Sequence, residues 1–200
     1  MKFPRTPHLP GSKATEDDIF NVFDKELIKT GEFVATEKMD GSNITMDANG
    51  AYSRSGSTPK DDWFYPARML HANIAHNIDN GIIIAGELLT WRKSIAYDNL
   101  TSDFIMFSVM DGDTVLSWDD VVEYAELLEL EIVPTIARGS FDEVVESAKK
   151  KLYDAGDTME GFVVRNVDSF DIANYGDNVC KFVGEWHNPV ATNNGRNGFL

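Results

Sequence analysis

Among 200 residues there is one cysteine, Cys180. It excludes an internal disulfide, and no Cys/His cluster has zinc-ligand spacing. No apolar run approaches a membrane span, and the first residues lack the cation-plus-apolar pattern of a signal peptide. No membrane partner is expected, and a reducing cytoplasm is the expected setting. Cations are scarce as well: Lys and Arg total 18 against 33 Asp and Glu, a formal net charge of −15. Proteins that grip nucleic acid usually present a basic face, because phosphate neutralisation supplies much of their affinity. Two readings remain open. Either the cations concentrate in one groove with the acids over the back, or binding to a polyanion is weak and a helper protein assists. The chain also lacks a Gly-x-x-x-x-Gly-Lys-Ser/Thr phosphate loop, a Gly-x-Gly-x-x-Gly fingerprint and a Gly-x-Ser-x-Gly elbow. His71 and His76 are five positions apart and share no helical face, and His8 and His187 stand isolated. No histidine metal pair is expected.

The composition, 42% hydrophobic and 26% charged, is that of a globular protein able to bury a substantial core. Without repeats or a linker, residues 1–200 are expected to form one domain, with no separate C-terminal domain. Thr15-x-x-Asp18 and Gly31 bracket an expected helix from Thr15 to Lys29, with Ile19, Phe20, Phe23, Leu27 and Ile28 near one face. Phe33–Thr36 reads as a strand of alternating character, and Asn49-Gly50 as a hairpin turn. A helix follows from about Asp62 to His76. Ile82–Leu88 and Phe104–Met110 read as buried strands, with Asp111-Gly112 as a second hairpin turn. Helices begin at Ser117 and at Ser140, the latter a capping-box match ending near Gly156. Ile132–Ala137, Gly161–Arg165 and Val179–Val183 complete the strands. The mixture predicts an α+β fold with mainly antiparallel sheets.

Within this frame Lys38 stands out, in Glu37-Lys38-Met39-Asp40-Gly41-Ser42-Asn43. A lysine where a strand turns at a glycine can meet a phosphate without a neighbouring Cβ in the way, and its amine becomes a nucleophile on losing a proton. The alternative is a surface lysine paired with Glu37 or Asp40. Glu87, on an apolar strand, needs a partner or a water-filled cleft. Lys181, between Cys180 and Phe182, needs a phosphate or a structural acid. Phe107 reads equally as ordinary core, Arg54 as an exposed hairpin residue, and Glu160 as a surface acid.

The Lys38 segment resembles the nucleotidyl-acceptor motif of the superfamily that contains ATP-dependent DNA ligases, RNA ligases and mRNA capping enzymes. Gly41-Ser42-Asn43 looks more like its RNA-ligase branch. Further motifs follow in the family's order: Arg54, Gly86-Glu87-Leu88, Phe107, Glu160-Gly161-Phe162-Val163-Val164 and Lys181. The opening Pro4-Arg5-Thr6-Pro7-His8-Leu9-Pro10 is similar to the start of small viral and bacterial RNA ligases. The resemblance implies a nucleotidyltransferase fold whose sheets enclose a nucleotide pocket. It implies a catalytic Lys38 that takes AMP from ATP, passes it to an RNA 5′-phosphate, and lets a 3′-hydroxyl displace it. It also implies nucleotide contacts from Glu37, Lys38, Asn43, Arg54, Glu87 (ribose), Phe107 (adenine stacking), Glu160 and Lys181, with Mg2+ held at Glu160. The host cytoplasm is the implied setting if the source is viral.

The pattern departs from the family's in two places. Ser108 follows Phe107 where an acid is common, with Asp111 beyond it. Where Lys-hydrophobic-Lys is common, Lys181 fills the first slot and Val183 the second, or Lys181 the second and Val179 the first; either way Arg165 or Lys93 is expected to supply the missing phosphate contact. A capping-type guanylyltransferase, a DNA ligase, and a nucleotide-binding module without ligation (a sensor or partner subunit) remain alternatives.

Overall fold

In a computed structural model of the chain, residues 3–16, 18–20, 25–188 and 195–199 are described. In chain order the elements are α1 (Lys25–Thr30), β1 (Phe33–Lys38), β2 (Ser42–Asp47), β3 (Gly50–Ser53), α2 (Tyr65–Ile74), β4 (Ile82–Leu88), β5 (Phe104–Asp111), β6 (Thr114–Val115), α3 (Trp118–Leu128), β7 (Glu131–Ile132), β8 (Thr135–Gly139), α4 (Phe141–Ala155), β9 (Gly161–Asn166), β10 (Phe170–Asp171), α5 (Tyr175–Asn178) and β11 (Val179–Val183). They form two sheets. The smaller runs β11-β9-β1-β8 and the larger β10-β6-β5-β4-β2-β3. All pairings are antiparallel except β7, which joins β5 in parallel.

β1 is buried on both faces over Phe33–Thr36 rather than alternating. Phe33 and Ala35 meet Val144, Ala148 and Leu152 of α4, while Val34 turns into the core of the larger sheet. That second core joins Ile44, Met46, Ile84, Phe104 and Met106 to Phe64 and Ala67 at α2 and to Trp118, Val121, Ala125 and Leu128 of α3. Each large side chain buried this way contributes about 1.5–3 kcal/mol. The helix starts were written locally. Ser117 and Asp120 form a capping box, and Glu143 reaches back to the Ser140 amide and hydroxyl at 3.1 and 2.6 Å. A third cluster, with Phe3, Ala85, Met110, Val115, Tyr175 and Val179, ties the two sheets together.

Two expected elements differ. Among the described residues the first helix is Lys25–Thr30, and residues 17 and 21–24 of the expected span lie outside them. The Thr15/Asp18 pattern closes a local turn instead, with Asp18 accepting from the Thr15 amide at 2.8 Å, and Phe20 bridges to His8. Ile19 and Phe20 are exposed, and Phe23 lies outside the described residues. The strand expected over Ile132–Ala137 is split at Val133-Pro134 between the two sheets, since proline donates no ladder hydrogen bond.

Candidate active site

The two sheets enclose a cleft of about 940 Å³, its open mouth included. Glu37, Lys38, Asn43, Arg54, Glu87, Phe107 and Lys181 all line it, together with Thr36, Ser108, Trp118, Val163 and Arg165. Register explains the arrangement. Lys38 faces Gly161, Thr36 faces Val163, and Val163 faces Lys181 on β11, so the smaller sheet supplies a floor with both lysines. On the opposite wall Asn43 of β2 sits directly across from Glu87 of β4. Phe107 owes its position to a bulge: Ala85 pairs with Ser108 and Gly86 with Met106, leaving Phe107 as the extra residue of β5. The bulge swings its half-buried ring into the cleft, edge-on to Phe3 at 5.4 Å. Gly86 permits this packing, because a Cβ there would run into the Phe104 ring and the Ile105 carbonyl. Gly41 has a different role from the one its place in the motif suggests. Its missing Cβ faces the Leu88 carbonyl, at 2.6 Å, rather than the cleft.

Lys38 Nζ donates to Glu160 Oε1 at 2.6 Å, so its partner is neither Glu37 nor Asp40. Burial works against the ammonium charge, but Glu160, Glu87 and Asp40 outweigh it and hold Lys38 above the usual lysine range. In this arrangement Lys38 is protonated. Glu160 does not line the cleft; it is buried behind Lys38, with Oε2 unpartnered. Burial, augmented by Glu160 and Asp40 and opposed by Lys38, pushes the Glu87 carboxyl up to about 8. Glu87 Oε2 and Asn43 Oδ1 are both buried without a hydrogen-bond partner. Such orphaned acceptors are costly unless something in the cleft donates to them. Glu37 is raised by burial, against the pull of Lys151 on α4. Lys181 is lowered by burial and then by Lys38, and Arg54 is exposed at the rim.

Arg165 lies at the far end of the cleft from Lys38, four strand positions along β9 from Gly161. Its guanidinium donates to the Leu116 and Asn166 carbonyls and lies over the Trp118 and Phe170 rings. Held there, it does not replace a phosphate-binding lysine near Lys38. Lys93 does not line the cleft, and Asp111 is exposed at the hairpin.

Two residues that the sequence reading left out of the site meet at Glu160. Asp40 Oδ2 accepts from the Ser94 and Ile95 amides at 2.7 and 2.9 Å. His187 Nε2 lies 3.6 Å from Glu160 Oε1. Ligand atoms of Asp40, Glu160 and His187 all fall within 4.8 Å of one another. Nothing in the spacing could announce His187, since it follows the last motif and reaches Glu160 only through the fold.

A family model for RNA ligase matches residues 31–183. The chain belongs to the RNA ligase family. Solved structures share its fold. An archaeal ATP-dependent RNA ligase matches with TM-score 0.61 at 15% identity, covering 91% of this chain and 48% of that one. A Naegleria gruberi RNA ligase mutant with ATP and Mn gives 0.56 at 16% identity, with 90% and 60% covered. A putative ATP-dependent DNA ligase from Aquifex aeolicus gives 0.56 at 17%, with 90% and 49% covered. This RNA ligase family member thus spans about half to three-fifths of those chains. No curated protein sequence matches it. Among the described residues no helix is long and apolar enough to cross a membrane.

Proposed function

We propose that the chain is an ATP-dependent RNA ligase whose reactive group is Lys38. The observation that carries this reading is the juxtaposition, in one cleft, of a half-buried lysine, an aromatic ring swung in by a bulge, and the paired orphan acceptors of Asn43 and Glu87. A nucleotide supplies what each lacks. Its base offers a face to Phe107, its ribose hydroxyls donate to Glu87 and Asn43, and its phosphates meet Arg54, Lys181 and Lys38.

Once deprotonated, Lys38 Nζ attacks the α-phosphorus. The bond from that phosphorus to the bridging oxygen breaks and pyrophosphate leaves. The AMP passes from Lys38 to an RNA 5′-phosphate, and a 3′-hydroxyl then displaces AMP as the new phosphodiester forms. The chain's own part is to orient these groups and to hold positive charge where negative charge develops. Glu160 and Asp40 suit a divalent cation, Mg2+ or a relative, which supplies charge neutralisation at the phosphates when bound. Lys38, Arg54 and Lys181 converge, while Asp119, Glu123 and Glu126 on α3 and Asp142, Glu143 and Glu146 on α4 lie exposed on the outside. That separation favours direct capture of RNA over dependence on a helper protein. A buried Cys180 suits a cytoplasmic setting.

Incubation with α-labelled ATP and a divalent cation, followed by a denaturing gel, tests the reading. Wild type is expected to keep an acid-labile label. Lys38→Ala is expected to lose it, as is Lys38→Arg, whose guanidinium stays protonated. Label persisting in Lys38→Ala would sink the assignment. Labelled GTP and DNA substrates separate a capping enzyme and a DNA ligase from an RNA ligase. An adduct without any strand joining would mark a non-ligating module.

A further inference from the structure

We propose that Ser108 reads the edge of the nucleotide's base, its Oγ accepting a hydrogen bond from the 6-amino group of adenine. The inference deepens the functional reading above and rests on it for the presence of a nucleotide in the cleft.

Among the described residues that line the cleft, three carry a buried oxygen without a hydrogen-bond partner: Asn43 Oδ1, Glu87 Oε2 and Ser108 Oγ. Contacts to the ribose use the first two and leave the third without a role. Ser108 is 4% exposed, so bulk water does not make up the missing bond, and a hydroxyl left unpaired at that depth is costly unless a ligand meets it.

The direction of the side chain follows from the strand. Ser108 pairs with Ala85. Ala85 and Met110, the latter two positions on from Ser108, both belong to the cluster that joins the sheets, so this face of β5 looks into the space between them. The bulge brings Phe107 and Ser108 together opposite one stretch of β4, and both line the cleft. Position along the strand then matches the parts of a nucleoside. Glu87 lies two positions from Ala85 on β4, about 7 Å at roughly 3.3 Å per residue. A nucleoside with its ribose at Glu87 and Asn43 and its base against Phe107 covers that distance to its far edge, which in adenine carries the 6-amino group. Val163 of the smaller sheet lines the cleft and packs against the same cluster as Phe107, so each sheet offers the base an apolar side chain.

The neighbouring chemistry leaves this contact to Ser108. Arg165 also lines the cleft, but a guanidinium only donates, and two of its nitrogens are taken by the Asn166 and Leu116 carbonyls. It cannot accept from an amino group. A hydroxyl can, and being neutral it does so without the cost of burying the carboxylate common at this position in the family.

The test measures equilibrium binding of ATP and of purine riboside triphosphate, which is ATP without its 6-amino group. The full chain is used in chelator, so that no AMP is transferred. Wild type is expected to favour ATP about three- to tenfold, the range for one hydrogen bond to a buried group. Ser108→Ala is expected to bind the two nucleotides alike and to hold the purine analogue about as tightly as wild type does. That last comparison separates base reading from packing, because a disturbed pocket weakens both nucleotides together. Equal binding of the two by wild type, a preference that persists in Ser108→Ala, or a parallel loss of both overturns the proposal. Should the alanine variant fail to fold, Ser108→Cys, whose sulfur is a weak acceptor, takes its place with the same expectations. The two readings fail separately. A missing AMP adduct removes the ligase assignment and leaves the binding contrast intact. An adduct formed by a protein indifferent to the 6-amino group removes only the present inference.

Discussion

Replacing Glu87 with Gln changes one atom type and isolates a strain on the folded protein. In the unfolded chain this carboxyl titrates near its ordinary 4.5, whereas in the folded protein burial pushes it up to about 8. Between those values the folded state keeps a proton that the unfolded state has released, so stability must fall as pH rises through the window. The interval from 4.5 to about 8, at about 1.4 kcal/mol per pH unit, caps the effect at about 5 kcal/mol. Glu87 is only half-buried, and solvent screening reduces this to about 2 kcal/mol. Urea titrations in chelator from pH 5 to 9 should show wild type losing that much relative to Glu87→Gln, with the two proteins closest at the acid end. Parallel stability curves would refute the reasoning, since the carboxyl would then titrate alike in both states. The same protonation bears on ligand binding. Below pH 8 a neutral Glu87 both donates to and accepts from ribose hydroxyls and adds no negative charge beside a triphosphate, so ATP affinity should decline above that pH in wild type and not in Glu87→Gln.

Phe107→Leu keeps much of the core volume while removing the aromatic face. Stacking contributes about 0.5–1.5 kcal/mol beyond burial, so apparent ATP affinity should drop roughly three- to tenfold; an unchanged affinity would mark Phe107 as packing alone. RNA affinity should depend only shallowly on salt, because the cationic residues in the cleft are few and each phosphate neutralised adds about −0.7 to −0.9 to the slope of log K against log salt. It should also be weaker in Lys38→Ala than in adenylylated wild type. A steep slope, or equal affinity in the two forms, would point to an extended basic surface.

Much of the scaffold was legible because its signals are local. Ser117 and Ser140 start their helices as their capping residues predict, and Ile82–Leu88 is a strand as its apolar run predicts. The failures share a cause in long-range structure. Thr15 and Asp18 have a capping spacing, but Asp18 satisfies the Thr15 amide in a turn and Ile19 and Phe20 pair with His8 of the N-terminal segment. Pro134 divides what reads as one strand, because the two sheets claim its halves. Motif order picked out residues that line the cleft, Lys38, Glu87 and Phe107 among them, but also Glu160, which does not. It could not reveal that Phe107 lies on a bulge, that Arg165 is anchored by carbonyls at the far end, or that His187 returns to Glu160.

The carboxylates around Lys38 set a constraint that any mechanism must meet. A nucleophilic amine needs to lose its proton, yet Glu160, Glu87 and Asp40 together stabilise the ammonium against the cost of burial. The arrangement therefore stores Lys38 in its unreactive form. What lowers its proton affinity is neutralisation of those acids. Glu87 reaches this state by holding its own proton near neutral pH, and a cation held by Glu160 and Asp40 would offset the other two charges. Glu160 Oε1 already holds Lys38, at 2.6 Å, so a cation drawing on that carboxylate weakens the hold on the ammonium. On the proposed mechanism, coupling of this kind would make activation of Lys38 conditional on loading the site. It would also give a purpose to the three acids kept beside the lysine proposed to react.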